Sequence, residues 1–125
     1  MKKVISTNLA PAAIGPYSQA IEANGMLFLS GQLPIESTTG DFVCGGVKEQ
    51  TAQCFFNIKA ILSEAGYNME NIVKTTVFLS DMANFGDMNE VYAAQFGETF
   101  PARSAFAVKT LPKNALVEIE AIAVK

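Results

Sequence analysis

The chain has 125 residues, of which 50% are hydrophobic and 17% charged, and its net charge is −3. That length fits one domain spanning 1–125, and scattered basic residues on an acidic chain leave no footprint for a phosphate backbone, so no nucleic-acid partner is expected. Histidine and tryptophan are absent, which excludes Ser-His-Asp and Cys-His catalytic devices and removes the commonest metal ligand.

In chain order, residues 18–23 and 26–31 are two strand candidates split by Asn24-Gly25, the strongest short hairpin signal because a type I′ turn needs positive φ twice. Residues 34–46 hold Pro34, Gly40, Gly45 and Gly46 and read as a loop. The segment 47–65 carries Val47, Thr51, Cys54, Phe55, Ile58, Ile61, Leu62 and Ala65 at helical spacing, with Gly66 as its C-terminal cap. Residues 72–79 are β-branched and strand-like. A second helix is expected over 85–97, capped by Asn84, with Phe85, Met88, Val91, Tyr92 and Phe96 on its apolar side. Pro101 should end that region before a strand at 103–109. Leu111-Pro112-Lys113-Asn114 is a turn, and a final strand runs from about 116 to 124. The order β-β-α-β-α-β-β predicts an α/β (α+β) fold with one sheet and both helices on one face.

The composition has a second consequence. An average soluble domain carries about 25% charged residues, and a domain this small cannot bury all of its apolar surface. Subunit contacts are the economical place for the excess, so a homo-oligomer is expected, with the free sheet face toward the partner. No apolar run reaches the roughly 18 residues of a membrane span, and the start, Met1-Lys2-Lys3-Val4, does not resemble a secretory signal. Cys44 and Cys54 read as free thiols of a reducing, cytoplasmic setting, with Cys54 a small core residue. Two cysteines and scattered carboxylates offer no ordinary metal site, so neither metal nor cofactor is expected.

Chemistry must then run on carboxylates, hydroxyls, lysines, backbone groups, water and Arg103, the only arginine. A guanidinium matches a carboxylate bidentately as lysine does not. Arg103, at a strand entrance among small and apolar neighbours, reads equally as a ligand anchor or as one half of a structural ion pair. Glu118 and Glu120 share a strand face with Leu116, Ile122 and Val124. They are either solvated edge residues or, if buried, carboxylates with raised pKa suited to general base work. Gly15-Pro16 presents Tyr17, either a site residue or a packed aromatic. In Ser30-Gly31-Gln32 the glycine marks either a bulge or a close approach of ligand to backbone.

Five pieces in order carry a resemblance: Ala12-Ala13-Ile14-Gly15-Pro16-Tyr17-Ser18-Gln19-Ala20, Leu29-Ser30-Gly31-Gln32, Val73-Lys74-Thr75-Thr76-Val77-Phe78-Leu79, Phe100-Pro101-Ala102-Arg103-Ser104 and Glu118-Ile119-Glu120-Ala121-Ile122-Ala123. From about residue 5 to the C-terminus the chain resembles the reactive-intermediate deaminase family, RidA or YjgF. The resemblance implies a chorismate-mutase-like fold and a homotrimer, with sheets facing a barrel-like core and clefts between neighbouring subunits. It also implies hydrolysis of 2-iminobutanoate and 2-iminopropanoate to 2-oxo acids and ammonia, which protects pyridoxal-phosphate enzymes from these imines. By position, Arg103 would bind the substrate carboxylate and Glu118 would activate water. The Gly31 backbone would help hold the carboxylate end, and Tyr17 and Ser30 would line the cleft. Many members carry a cysteine where this chain has Ala105, which leaves only a backbone contact at that position. The stretch between the second helix and Pro101 also looks short for the family. The alternative function is a non-catalytic trimer that binds or senses 2-oxo acids, which needs Arg103 but no base. Ribonuclease activity, attached to some relatives, does not suit an acidic chain without histidine.

Overall fold

At the Asn24-Gly25 turn φ is +52° and +73°, which joins strands β2 (Ala20–Ala23) and β3 (Met26–Gln32) as the sequence predicts. The computed structural model describes residues 1–125. Further along lie helix α1 (Val47–Ala65), strand β4 (Ile72–Leu79), helix α2 (Phe85–Ala94), strand β5 (Ala102–Ala107) and strand β6 (Val117–Val124). A short strand, β1 (Lys3–Ile5), precedes them all and pairs antiparallel with β2. Three residues are too few to show a period, so the sequence reading missed it and the order becomes β-β-β-α-β-α-β-β.

The six strands form one mixed sheet in the order β1-β2-β3-β6-β4-β5. Only β4 and β5 run parallel, joined through α2. The C-terminal strand thus lies at the centre of the sheet, between β3 and β4. Its side chains alternate as a strand must: Val117, Ile119, Ala121 and Ala123 are buried, while Glu118, Glu120, Ile122 and Val124 face the other way. The buried set meets Cys54, Phe55, Ile58, Ile61 and Leu62 of α1 in one core. Both helices therefore cover one face, as expected.

Several boundaries differ from the sequence reading. α2 stops at Ala94 rather than 97, because Gln95 and Phe96 donate to carbonyls three residues back and Gly97 follows. Phe96 still packs edge-on against Phe55, at 5.7 Å, so the apolar period outlasts the helix. Asn84 makes no side-chain cap. The chain enters α2 through a 3-10 turn at Met82–Asn84, capped by Asp81, whose carboxylate accepts from the Ala83 N–H at 2.8 Å. β5 spans 102–107, not 103–109, because its partner β4 ends at Leu79. β6 begins at 117 because the Leu116 N–H donates instead to Gln50 Oε1 of α1 at 2.9 Å. Ser18 and Gln19, expected in a strand, precede β2. Gln19 is buried and fastens the N-terminal segment, bonding the Thr7 N–H and the carbonyls of Thr7, Ala10 and Pro11.

The uncovered face carries an apolar row across four strands, Val4, Ile21, Phe28 and Ile122, which are register partners in turn. Further along the same face, level with Glu118, Phe78 and Phe106 stack edge-on at 5.6 Å. Val4, Phe28 and Phe106 are each more than 40% exposed, so this face is unpartnered within the chain. No helix is long and apolar enough to cross a membrane.

Candidate active site

The central strands build the first half of the site. Between the pairs Leu29–Ala121 and Gln32–Ile119, two residues of β3, Ser30 and Gly31, oppose the single residue Glu120. That is a β-bulge, which re-aims the strand locally. A Cβ on Gly31 would lie 2.7 Å from Glu118 Oε2 and 2.9 Å from its Cδ. A side chain on Gly31 would push this carboxylate aside, so the bulge reading of Gly31 holds and its bare backbone leaves room for the Glu118 side chain.

Glu118 is half-buried in a cavity of about 650 Å³ that Tyr17, Ser30, Gly31, Lys113 and Glu120 also line. That volume suits a small metabolite. Burial pushes the Glu118 carboxyl above the ordinary carboxylate range, and the like charge of Glu120 adds to the effect. Glu120 itself is exposed, so of the pair only Glu118 is the desolvated one. The Ser30 hydroxyl donates to the Ser18 carbonyl at 2.6 Å, which leaves its lone pairs toward the cavity. Tyr17 is half exposed at the rim, above the segment that Gln19 fastens.

Three contributors to this cavity escaped the sequence reading. Asn57, wholly buried on α1, donates to the carbonyls of Leu33 and Ile35 at 3.1 and 3.0 Å and so fixes the opposite rim. An amide between the apolar positions Cys54, Phe55, Ile58 and Ile61 was the available sign. Lys113 sits in the left-handed region at φ +56° and brings a cation to the edge of the cavity. Gln19, a member of the first motif, holds the segment that carries Tyr17 through its bonds to Thr7, Ala10 and Pro11, a long-range role that no local pattern displays.

Arg103 builds the second half, at the sheet's edge. It pairs in register with Thr75 of β4. Its Nη1 donates to Asn89 Oδ1 of α2 at 2.6 Å. The guanidinium lies 4.7 Å from the Tyr92 ring centre and 5.5 Å from that of Phe85. The chain's one ion pair is Lys48–Glu90, on the surface, so no carboxylate of the same chain neutralises Arg103. Beside it a second cavity, of about 380 Å³, is walled by Asn89, Tyr92, Ala93, Phe100 and Pro101. Asn89 is also new here. Its spacing from Phe85 and Tyr92, at i, i+4 and i+7, was a legible clue. Ala105 packs partly buried against the core and offers no side-chain group to either cavity. Cys54 is buried, its thiol pushed well up by desolvation, and Cys44 is exposed and free. Nowhere do three or more carboxylates or thiols converge as a metal site would need.

Within one chain the two halves do not meet. Arg103 aligns through Thr75 with Ala121 of β6, and Glu118 lies three residues further along that strand. Two strand spacings and three residues of rise put their backbones about 14 Å apart. Their side chains also point to opposite faces, since Arg103 meets α2 and Glu118 the uncovered side. No small ligand touches both on a single copy.

Comparison with known proteins identifies the lineage. The model of the family described as Endoribonuclease L-PSP matches residues 7–125. A RutC family protein of Pyrococcus horikoshii is 57% identical over all of this chain and 99% of its own length. The 2-iminobutanoate/2-iminopropanoate deaminase of Mus musculus is 49% identical, covering all of this chain and 93% of the relative. The crystal structure of E. coli TdcF with bound serine superposes with a TM-score of 0.94 at 44% identity, covering 98% of each chain. With its mixed sheet, its two helices on one face and a match from residue 7 to the last, the chain belongs to the Endoribonuclease L-PSP family, the RidA/YjgF proteins that its five motifs resemble.

Proposed function

We propose that this protein hydrolyses small 2-imino acids, 2-iminobutanoate and 2-iminopropanoate, to 2-oxo acids and ammonia in clefts shared by two copies of the chain. What carries the reaction type is Glu118, a half-buried carboxylate with raised pKa, set over Gly31 in a cavity of metabolite size. The substrate class follows the name of the full-length mouse relative. A bound serine in the E. coli neighbour is a ligand of the same size, with an α-carboxylate.

In this reading Arg103 of one copy clamps the substrate carboxylate, and the Gly31 backbone of its neighbour helps hold that end. Tyr17 and Ser30 line the cleft. The backbone of Ala105 is a further contact. The neighbour's Glu118 accepts a proton from a water as that water attacks the carbon of the protonated imine. The carbinolamine takes the proton back from Glu118 onto nitrogen. Its collapse expels ammonia, and the hydroxyl proton leaves with it as the carbonyl forms. The imine is already electrophilic, so one base and one anchor suffice. A general base contributes about 10²–10⁴-fold, and fixing the carboxylate relative to the water adds an orientation gain.

Sharing the site between copies follows from the roughly 14 Å separation of its halves. The uncovered row Val4, Ile21, Phe28 and Ile122, with Val4 and Phe28 exposed, supplies an apolar face for assembly, and closed rotational symmetry, here a homotrimer, repeats one cleft at each junction. Two free cysteines accord with a cytoplasmic setting, where removing such imines spares pyridoxal-phosphate enzymes. The ribonuclease in the family's description finds less support, since the chain is acidic and lacks both histidine and a basic stripe.

Imine decay tests the reading. 2-Iminobutanoate is generated in place by a threonine dehydratase and trapped with semicarbazide, with and without the protein and its Arg103→Ala variant. Loss of trapped product that requires Arg103 is expected. No loss at high protein concentration would overturn hydrolysis and leave the binding protein, to be titrated with 2-oxo acids.

A further inference from the structure

The sole guanidinium of the chain rests on one face of α2. Phe85, Asn89 and Tyr92, at i, i+4 and i+7, surround it with two ring faces and one amide oxygen. All three groups are neutral. A carboxylate in their place would hold the guanidinium as firmly but would compete with an incoming carboxylate for the same N–H edge. Ring faces and an amide attract the cation and leave its charge available. Asn89 takes one Nη1 N–H, and four of the five donors stay free.

The Tyr92 ring is itself fixed. It is 4% exposed and packs edge-on against Phe55 at 5.5 Å. Its hydroxyl shares a 2.7 Å hydrogen bond with the hydroxyl of Thr75, which is wholly buried on β4. Thr75 is the register partner of Arg103. The strand beside the arginine therefore fastens the ring on which the arginine lies, and the shelf and its cation share one reference frame.

We propose that Tyr92 is a positioning residue: a clamped aromatic shelf that presents the free N–H edge of Arg103 to a ligand carboxylate. This rests on the anchoring role given to Arg103 above. A shelf of this kind acts on binding rather than on the proton transfers at Glu118, so it moves KM and spares kcat.

Because Arg103 is the only arginine, its Nε–Hε group gives a single resonance in a nitrogen-15 side-chain spectrum. Ring currents from Tyr92 displace it. Tyr92→Leu should return that resonance toward its free-peptide position. In the imine assay it should raise KM by about three- to tenfold, the range of a partly desolvated cation–ring contact, with kcat nearly unchanged. Tyr92→Phe keeps the ring and should recover most of both. In an Arg103→Ala background, Tyr92→Leu should cost nothing further. Thr75→Val unclamps the ring without removing it, and carries the test if the leucine variant does not fold. It should shift the resonance and KM the same way by less. An unmoved resonance in a folded variant, a fall in kcat at constant KM, or an equal loss without Arg103 would each overturn the proposal. If the wild type hydrolyses no imine, the proposed function fails, while the resonance still tests the shelf by itself.

Discussion

The two halves of the site are built on opposite principles. Around Glu118 the central strands β3 and β6 lay the carboxylate so close over Gly31 that a Cβ there would have to displace it. Desolvation there raises a carboxyl pKa and makes a base. Around Arg103 the edge strand β5 leaves one side open, and α2 fills it with rings and an amide that hold a cation without neutralising it. The centre of a sheet tunes a proton affinity, whereas its edge displays a charge. The two lie on opposite faces about 14 Å apart, so one copy of the chain holds both instruments and cannot use them on the same molecule.

Breaking the two halves separately should give different signatures. The largest effect is expected from Glu118→Gln, which should cut kcat by about 10²–10⁴-fold while 2-oxo acid binding, followed by titration calorimetry, persists. Arg103→Ala should lower kcat/KM by about 10²–10³-fold and abolish that binding, since it deletes a bidentate charge-assisted pair. Refolding these two inactive variants together tests the comparison most sharply. If a cleft takes Arg103 from one copy and Glu118 from another, random assortment restores roughly a quarter of the wild-type sites. A mixture as inactive as its components would place both halves of each site in one chain.

Gly31→Ala should leave the fold intact yet cost up to about a hundredfold in kcat, because the new methyl displaces the Glu118 carboxylate from the water it activates. Arg103 is untouched by that change and the Gly31 backbone that helps hold the carboxylate end is retained, so KM for the imine should move less than kcat. The smallest effect is expected from Glu120→Gln. The wild-type kcat/KM should rise with pH through the raised pKa of Glu118 as the base ionises. Removing the Glu120 charge leaves the larger cause, burial, in place, so the acid limb of the profile should shift modestly toward lower pH. The same group sets a sign for stability. The fold favours the protonated carboxyl, so its contribution is whole below the ordinary carboxylate pKa and is lost as pH rises through the raised value. Thermal unfolding should show this component vanish in Glu118→Gln.

Local patterns were legible wherever one element determined them. The helix at 47–65 and the strand at 72–79 stand with the bounds expected, because a long apolar stripe and a β-branched run each override their neighbours. The end of α2 was not legible, because Phe96 keeps packing on Phe55 after the backbone has left the helix. Apolar spacing reports contact, and contact continues where hydrogen bonding changes. The cap of α2 was misplaced for a related reason: Asp81 caps a 3-10 turn that the apolar pattern does not display.

The sequence alone determined that the fold class is α+β, that no histidine is present to do chemistry, that Arg103 is the only guanidinium, and that Glu118 and Glu120 share a strand face. Its five motifs in order already carried the family resemblance. Composition, the period of two and the residue inventory are properties of the chain itself, so no folding is needed to read them. The tertiary structure decided that β6 lies between β3 and β4, and with it everything that depends on which strands are neighbours. That placement seats Glu118 on Gly31, 87 residues away in sequence, buries Asn57 against the cavity rim and separates the base from the anchor. Strand order is set by long-range burial, which the local period of a segment does not encode.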